Sequence, residues 1–443
     1  MGLQELTIIR NTPINFRLTT KDAGFIAERD KIFKQLKLAN RNLNDKKDFL
    51  TALLMNLKLN MRLDWPGRPY YVSISRDKNY YSSIPARYKL NSVSYENVVQ
   101  VLDEMIRLDY IEQKIGYWAK NKHKKGLRTI IRAKDSLKQI LSKHNNFPII
   151  HERPKEFIIL RDKDNNDIDY TDTVKTNLMR DVLRKYSDLR MGTEIKLKQI
   201  PAELYNEWLQ LLIPFLKSAA KKQPATGLID VEIHPAFLVR IFNIDFQHGG
   251  RFYRGVESVV PQEIRKYFAF NDKPTVELDY SGLHLRMLYN ENKVNIRKDP
   301  YTIDKSGNPY LRNVLKIMSL TMINAADKTA AIKSIRLEMQ NELLYYNILP
   351  DVKHKTIETL CDKFVKAHKP IEKYFFSGEG VRLQNVDSNI TNDIVNYFTG
   401  KGIFIMVIHD SYIIDAEYEN DLLAYMKFAY HRYLKFYPKI GKK

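Results

Sequence analysis

The stretch Thr275–Asn290, TVELDYSGLHLRMLYN, carries the fold of this 443-residue chain. Thr275–Leu278 alternates in apolar character and ends in Asp279, which predicts a short strand with a carboxylate at its tip. From Ser281 the pattern turns helical, with Leu283, Met287 and Leu288 on one face. A second stretch, Gly402–Asp415, GIFIMVIHDSYIID, has the same theme. An apolar strand runs into His409-Asp410-Ser411 and Tyr412–Ile414 resumes the apolar run, predicting a β-hairpin with Asp410 at its tip. A carboxylate at the end of a buried strand is costly unless it is paired or bound to a cation. Two of them side by side in one sheet repel each other and call for a divalent ion, and hard oxygen ligands select Mg²⁺ or Mn²⁺. Two such ions activate a 3′-hydroxyl and stabilise a leaving pyrophosphate. The same spacing also fits two turn or N-cap aspartates with no metal.

The charge balance narrows the partner. Lys and Arg total 72 against 52 Asp and Glu, a net charge of 72 − 52 = +20. A surface of that sign releases counterions when it meets a polyanion, and nucleic acid is the commonest one. A merely basic globular protein has the same balance. With 44% hydrophobic and 28% charged residues the chain is neither disordered nor collagen-like, and its length suggests two to four domains. Cys361 is the single cysteine, which excludes a disulfide framework or a zinc site built from cysteines. No apolar run reaches the roughly 18 residues of a membrane helix. Leu6 stands where a myristoylation signal wants Ser or Thr, and no signal-peptide core follows, so a cytoplasmic protein without membrane partners is expected.

Turn-rich breaks at Lys143–Pro154 and Ser218–Gly227 divide the chain into an N-terminal arm (1–45), a helix-and-hairpin unit (46–145), a middle segment (146–227) and a C-terminal half (228–443). In the second of these, Lys46–Leu59 reads as a helix, and a further helix runs from the N-cap Ser94 to Leu108. Two strands follow, in YIEQKIGYW and LRTIIRA, joined by the basic turn AKNKHKKG, and Asp135–Leu141 closes the unit as a helix. This order resembles a winged helix-turn-helix of the type found in plasmid and phage replication initiators. The resemblance implies Ser94–Leu108 in the major groove, with Lys120, Lys122, Lys124 and Lys125 on phosphate. A small helix-hairpin domain that binds nothing has the same pattern. In the middle segment Phe157–Leu160 and Ile168–Tyr170 read as strands around DKDNND, with helices at Thr173–Tyr186 and Ala202–Leu216. The acidic turn is no calcium loop, because Asp167 occupies the Gly position and Thr173 the place of the bidentate Glu. This segment is either a thumb or a connector.

LDYSGLHLR (Leu278–Arg286) resembles motif A of the family A DNA polymerases, and IHDS (Ile408–Ser411) resembles motif C, its Ser being closer to the phage-type single-subunit RNA polymerases. Between them LRNVLKIMSLTMINAA places Arg312, Lys316, Leu320 and Asn324 at four-residue steps, similar to the fingers helix of the same superfamily. DFQHGGRFYRG (Asp245–Gly255) resembles the element that holds template and primer backbones, with one extra residue before Gly250-Arg251, and Gln384 in RLQNVDSN resembles the family's Gln-containing helix. The resemblance spans roughly Asp245 to Asp415. It implies an α+β right-hand palm and fingers, an antiparallel sheet with helices, preceded by the winged helix.

On that resemblance Asp279 and Asp410 hold two Mg²⁺ or Mn²⁺ ions and are catalytic, and Lys316 is the acid for pyrophosphate departure. Arg312 and Lys316 clamp the triphosphate; Leu320, Asn324, His284 and Tyr280 complete the nucleotide site; Arg251, His409 and Gln384 hold nucleic acid. The chain departs from the family at His284, where the DNA polymerases carry Glu and the RNA enzymes a small residue, and at Asn324-Ala325, where the pattern is Tyr-Gly. A bulky ring excludes a 2′-hydroxyl but can also hydrogen-bond to one, so sugar choice stays open with deoxynucleotides ahead. The expected protein is a template-directed nucleotidyltransferase of a phage, plasmid or mobile element in a bacterial host. It would be a DNA polymerase with or without primase activity, acting on DNA template and primer with dNTPs. The alternatives are an RNA polymerase or primase that uses NTPs and makes an RNA product, a non-catalytic initiator on a polymerase-like fold, and a metal-dependent nuclease.

Overall fold

Period-two stretches and 3.6-period stretches alternate along this chain, and both kinds form. The computed structural model describes residues 10–61, 69–117, 127–144, 150–198, 237–255, 260, 262–303, 309–341 and 354–443. The fold is mixed α+β, in two units. Described residues 10–156, Asp167–Asp169 and Phe237 belong to the first, and Phe157–Asn166, Tyr170–Lys198 and Leu238–Lys443 to the second. Among the described residues no helix is long and apolar enough to cross a membrane.

The first unit contains β1 (Arg10–Pro13), β2 (Leu18–Thr19), α1 (Ala23–Gln35), α2 (Leu43–Met61), β3 (Tyr70–Ile74), α3 (Lys78–Ser82), α4 (Tyr95–Arg107), β4 (Ile111–Lys114), β5 (Thr129–Ala133), α5 (Asp135–Ser142) and β6 (Ile150–His151). Its main sheet runs β1-β3-β5-β4. Ser94 caps α4, accepting from the Asn97 amide at 3.1 Å, and Val98, Val101, Leu102 and Met105 face the core beside Phe49, Leu53, Val72, Ile131 and Leu137. The five elements read from sequence form within a few residues. Six others were not read: β1, which pairs parallel with β3, then β2, α1, β3 itself, the short α3 and β6. The stretch expected as an arm is therefore sheet and helix of this unit. Buried polar side chains of α2 hold it, with Asn56 Nδ2 donating to the Asn15 carbonyl at 2.9 Å and Asn60 Nδ2 to Thr12 Oγ1 at 3.0 Å.

The second unit contains β7 (Ile158–Arg161), α6 (Val174–Gly192), β9 (Ile195–Leu197), β10 (Val239–Asn243), β11 (Gly249–Tyr253), α7 (Gln262–Arg265), β12 (Phe268–Phe270), β13 (Lys273–Tyr280), α8 (Leu283–Glu291), α9 (Pro309–Asn324), α10 (Lys328–Asn341), α11 (His354–Ala367), α12 (Gly380–Gly400), β14 (Ile405–Ile408), β15 (Ser411–Asp415), α13 (Glu419–Leu434) and β16 (Ile440–Lys442); the two-residue strand β8, Asp167–Ile168, belongs to the first unit. One antiparallel sheet runs β14-β15-β13-β12-β9, with β16 also on β13. A second set has β10 parallel to β7 and antiparallel to β11. Thr173 caps α6 through a reciprocal bond with Thr176, so part of the expected middle segment builds this unit. The expected helix Ala202–Leu216 lies outside the described residues.

Candidate active site

Antiparallel pairing brings the two strand-tip aspartates together. Asp279 on β13 stands opposite Ser411, and the Tyr280 amide donates to the Asp410 carbonyl at 3.1 Å. Because Ile408 pairs with Ser411, His409-Asp410 is a two-residue turn, with His409 left-handed at φ 55°. Thr391 of α12 holds this turn, donating to the His409 carbonyl at 3.3 Å. Burial raises the Asp410 carboxyl above the usual range, against the opposing charge of Arg251. Ser411 does not face the tip: its hydroxyl donates at 2.5 Å to Glu277, whose carboxylate also takes two bonds from Arg265. Lys443 Nζ lies 3.2 Å from Asp279 Oδ2. Among the described residues no group of three or more His, Cys, Asp or Glu is placed to hold a metal. Two carboxylates are nevertheless what Mg²⁺ commonly takes from a protein, with water and phosphate filling the other positions, and an ammonium already rests on one of them.

Behind the aspartates lies a buried charge cluster. The ladder between β10 and β11 shifts register after Ile241, leaving Gly250 as the extra residue, and this bulge turns Arg251 toward α12. Glycine is required there: φ is 85°, and a Cβ would stand 2.5 Å from the Phe242 ring. Arg251 Nη2 donates to Asp387 Oδ2 at 2.5 Å and its Nε lies 3.1 Å from the same oxygen. His284 Nε2 is 2.8 Å from that oxygen and 3.1 Å from Arg251 Nη2. An ionised carboxylate only accepts, so Nε2–H of His284 donates to Asp387 and the approach of Arg251 Nη2 to the same nitrogen is a contact of two donors; buried Nδ1 has no hydrogen-bond partner among the described residues. Burial would raise the Asp387 carboxyl, but the His284 bond and the Arg251 charge outweigh it and hold it low. Burial, and next Arg251, lowers the His409 imidazole, whose ring meets Tyr253 edge-on at 6.1 Å.

Sequence reasoning missed Asp387 and chose Gln384, which sits half-buried one turn earlier on α12. The signal was available: Leu383, Asp387, Ile390 and Ile394 form one buried stripe, and a carboxylate inside an apolar stripe needs a partner. Arg240, within the apolar run of β10, was missed likewise. It is fully buried between the rings of Phe242 and Phe252, at 4.9 and 5.1 Å, and donates to the Gly250 carbonyl at 2.7 Å and to Ser388 Oγ at 3.0 Å. Burial lowers its pKa to about 9.

The helix α9 presents Lys316, Leu320 and Asn324 to solvent, with Arg312 half-buried. Arg312 Nε donates to Asp299 at 2.6 Å and its guanidinium lies 5.3 Å from the Tyr301 ring centre. Burial raises the Tyr301 phenol to about 12, with the charge of Asp410 adding. Asn324 turns back to donate to the Leu320 carbonyl at 2.7 Å. Tyr280 departs from the expected nucleotide set: its side chain is core, packed on Tyr412 and Tyr430, and its hydroxyl donates to the Met426 carbonyl at 2.7 Å. Strand alternation puts it on the face opposite Asp279. In the first unit Lys120, Lys122, Lys124 and Lys125 lie outside the described residues. The solvent face of α4 carries Tyr95, Glu96, Asp103 and Arg107, with Gln100 and Glu104 half-exposed. Arg107 is paired with Glu104 at 2.8 Å and Arg76 with Asp103, so both cations at this face are already held by carboxylates.

No family model matches the chain, and no curated protein matches it. Solved structures that match include the POL domain of Pol1 from M. smegmatis, in complex with DNA primer-template and dNTP, at 12% identity and a TM-score of 0.33. The alignment covers 60% of this chain and 63% of that one, so the chain spans less than two thirds of that relative's length.

Proposed function

We propose that this chain is a template-directed nucleotidyltransferase, a DNA polymerase with or without primase activity, encoded by a phage, plasmid or mobile element. The observation that carries the reading is the register of β13 and β15, which sets Asp279 beside the Asp410 turn. Asp279 and Asp410 would hold two Mg²⁺ or Mn²⁺ ions, which when bound activate a 3′-hydroxyl and neutralise the leaving pyrophosphate. Arg312 and Lys316, one turn apart on α9, receive the triphosphate, with Lys316 delivering a proton to the departing pyrophosphate. Arg312 leaves Asp299 to do so. Arg251 and His409 orient the primer end. His284, fixed by Asp387, stands as the bulk that excludes a 2′-hydroxyl.

The order α2, β3, α3, α4, β4, β5, with β5 between β3 and β4, supports a winged helix as the duplex-binding part. Phosphate contact falls to the wing lysines Lys120, Lys122, Lys124 and Lys125, since Arg76 and Arg107 beside α4 are already paired with carboxylates. A second reading, a non-catalytic initiator on the same fold, is favoured by Asn324, which is folded back on its own helix where the family pattern has a tyrosine.

A Mg²⁺-dependent extension assay tests the proposal, offering dNTPs or NTPs on primed and unprimed templates with Asp279→Asn and Asp410→Asn as controls. Incorporation of dNTPs lost in both variants, with DNA binding intact, is the expected result. Products from NTPs would reassign the chain as an RNA polymerase or primase. Retained synthesis in both variants would remove the two-aspartate assignment, and no product in any lane would leave the initiator.

A further inference from the structure

Strand β16 lies along the edge of β13 opposite β15, its register setting Gly441 opposite Asp279 and Lys442 opposite Leu278. The approach is close: a Cβ on Gly441 would stand 2.9 Å from Asp279 Oδ1 and 3.3 Å from Ser281 Oγ. Backbone bonds clamp both ends of the strand, from the Ser281 amide to the Lys439 carbonyl at 2.9 Å and from the Lys443 amide to the Glu277 carbonyl at 3.1 Å. Lys443 Nζ is thereby delivered 3.2 Å from Asp279 Oδ2 and 3.7 Å from Glu277 Oε1. Glu277 has other partners, Arg265 and Ser411, whereas Lys443 is the one ion-pair partner found for Asp279 among the described residues.

From this geometry we infer that Lys443 is the internal competitor for the divalent cation, seated on Asp279 when no metal is bound and shifted toward Glu277 when one arrives. The inference rests on the reading of Asp279 and Asp410 as a cation site. A carboxylate oxygen held by an ammonium cannot at the same time take a hard divalent ion at full strength, because the two cations repel. The pair is partly exposed, at 26% and 21% of its side-chain surfaces, so its hold is modest and reversible. Lys443 therefore raises the metal concentration the protein needs without closing the site.

The test is binding of Mn²⁺ to the full chain without nucleotide or DNA, counting free Mn²⁺ by its electron paramagnetic resonance signal. Lys443→Gln should bind Mn²⁺ roughly 1.5- to fivefold more tightly than wild type, the range expected for release of one partly exposed ion pair. Lys443→Arg should match wild type. So should Lys442→Gln, which removes an equal charge one residue away, from a pair with Glu419. The Mg²⁺ concentration for half-maximal incorporation should fall in Lys443→Gln by a similar factor. Unchanged or weaker Mn²⁺ binding in Lys443→Gln overturns the inference. If Asp279→Asn and Asp410→Asn lose Mn²⁺ while Lys443→Gln is unaltered, the cation site stands and only the role of the lysine falls. If those two variants bind Mn²⁺ as wild type does, both fall.

Discussion

Helices α4 and α12 each lay one face on a sheet, but they bury different chemistry. The inward face of α4 is Val98, Val101, Leu102 and Met105, with Asn97 as its one buried polar residue. That of α12 interleaves Leu383, Ile390, Ile394, Val395 and Phe398 with Asn385, Asp387, Ser388, Thr391 and Thr399. Each polar group in α12 is spent on a particular backbone or side chain: Ser388 donates to the Gly249 carbonyl at 3.1 Å, and Thr391 shares a bond of 2.8 Å with Tyr412. An apolar stripe holds a helix in place and tolerates sliding by fractions of an ångström; a hydrogen-bonded stripe does not. The helix that fixes Arg251, His284 and the His409 turn is the wired one.

The contrast can be broken most forcefully at Asp387. Asp387→Ala strands the Arg251 charge in a buried site, and an urea titration should record a loss of about 3–5 kcal/mol. A loss below 1 kcal/mol would mean that water reaches the cluster. Next comes Leu102→Ala in α4, expected to cost about 3 kcal/mol through lost burial and a residual cavity; here incorporation should survive in the folded fraction, as it should not for Asp387→Ala. The pH dependence sharpens the difference within the second unit. Asp387 is held low, so its contribution is present above its unfolded value of about 3.9 and is lost as pH falls through its folded pKa. Asp410 is held high, so the fold loses stability as pH rises through the carboxylate range. In metal-free buffer at pH 7, Asp410→Asn should raise Tm by roughly 2–4 °C and Asp387→Asn should lower it, both differences shrinking in acid. Shifts of the same sign would contradict the two environments. The smallest effect belongs to the α4 cap: Ser94→Ala should cost about 1 kcal/mol in the same titration.

Local pattern made much of this legible. Ser94 announced its helix, alternation announced β13 and β15, and the apolar run before His409 announced a hairpin, because each depends on residues within a turn or a strand length. What stayed hidden depends on pairing across long separations. The Arg251–Asp387 bond joins residues 136 apart, and the Lys443–Asp279 pair is set by β16 crossing to β13. Tyr280 was misplaced because its motif carries a resemblance, whereas its facing is decided by strand parity. The parallel pairing of β1 with β3 leaves no local mark either. The charge of the chain pointed to a polyanion, but the acidic surface of α4 shows that a net charge says little about any one face.

Arg240 has a consequence for how the second unit assembles. Its guanidinium bonds to Gly250, Ser388, Asn389 and Asn392 and touches Met179 Sδ, so it joins segments that lie about 60 to 150 residues apart along the chain. A cation with only neutral acceptors is tolerable when all of them are present and poorly tolerable when half are. Partial docking of α12 on β10 is therefore disfavoured, and α6, the β10–β11 ribbon and α12 should close in one concerted step. Native-state hydrogen exchange should accordingly find these three elements opening together, as a single cooperative block.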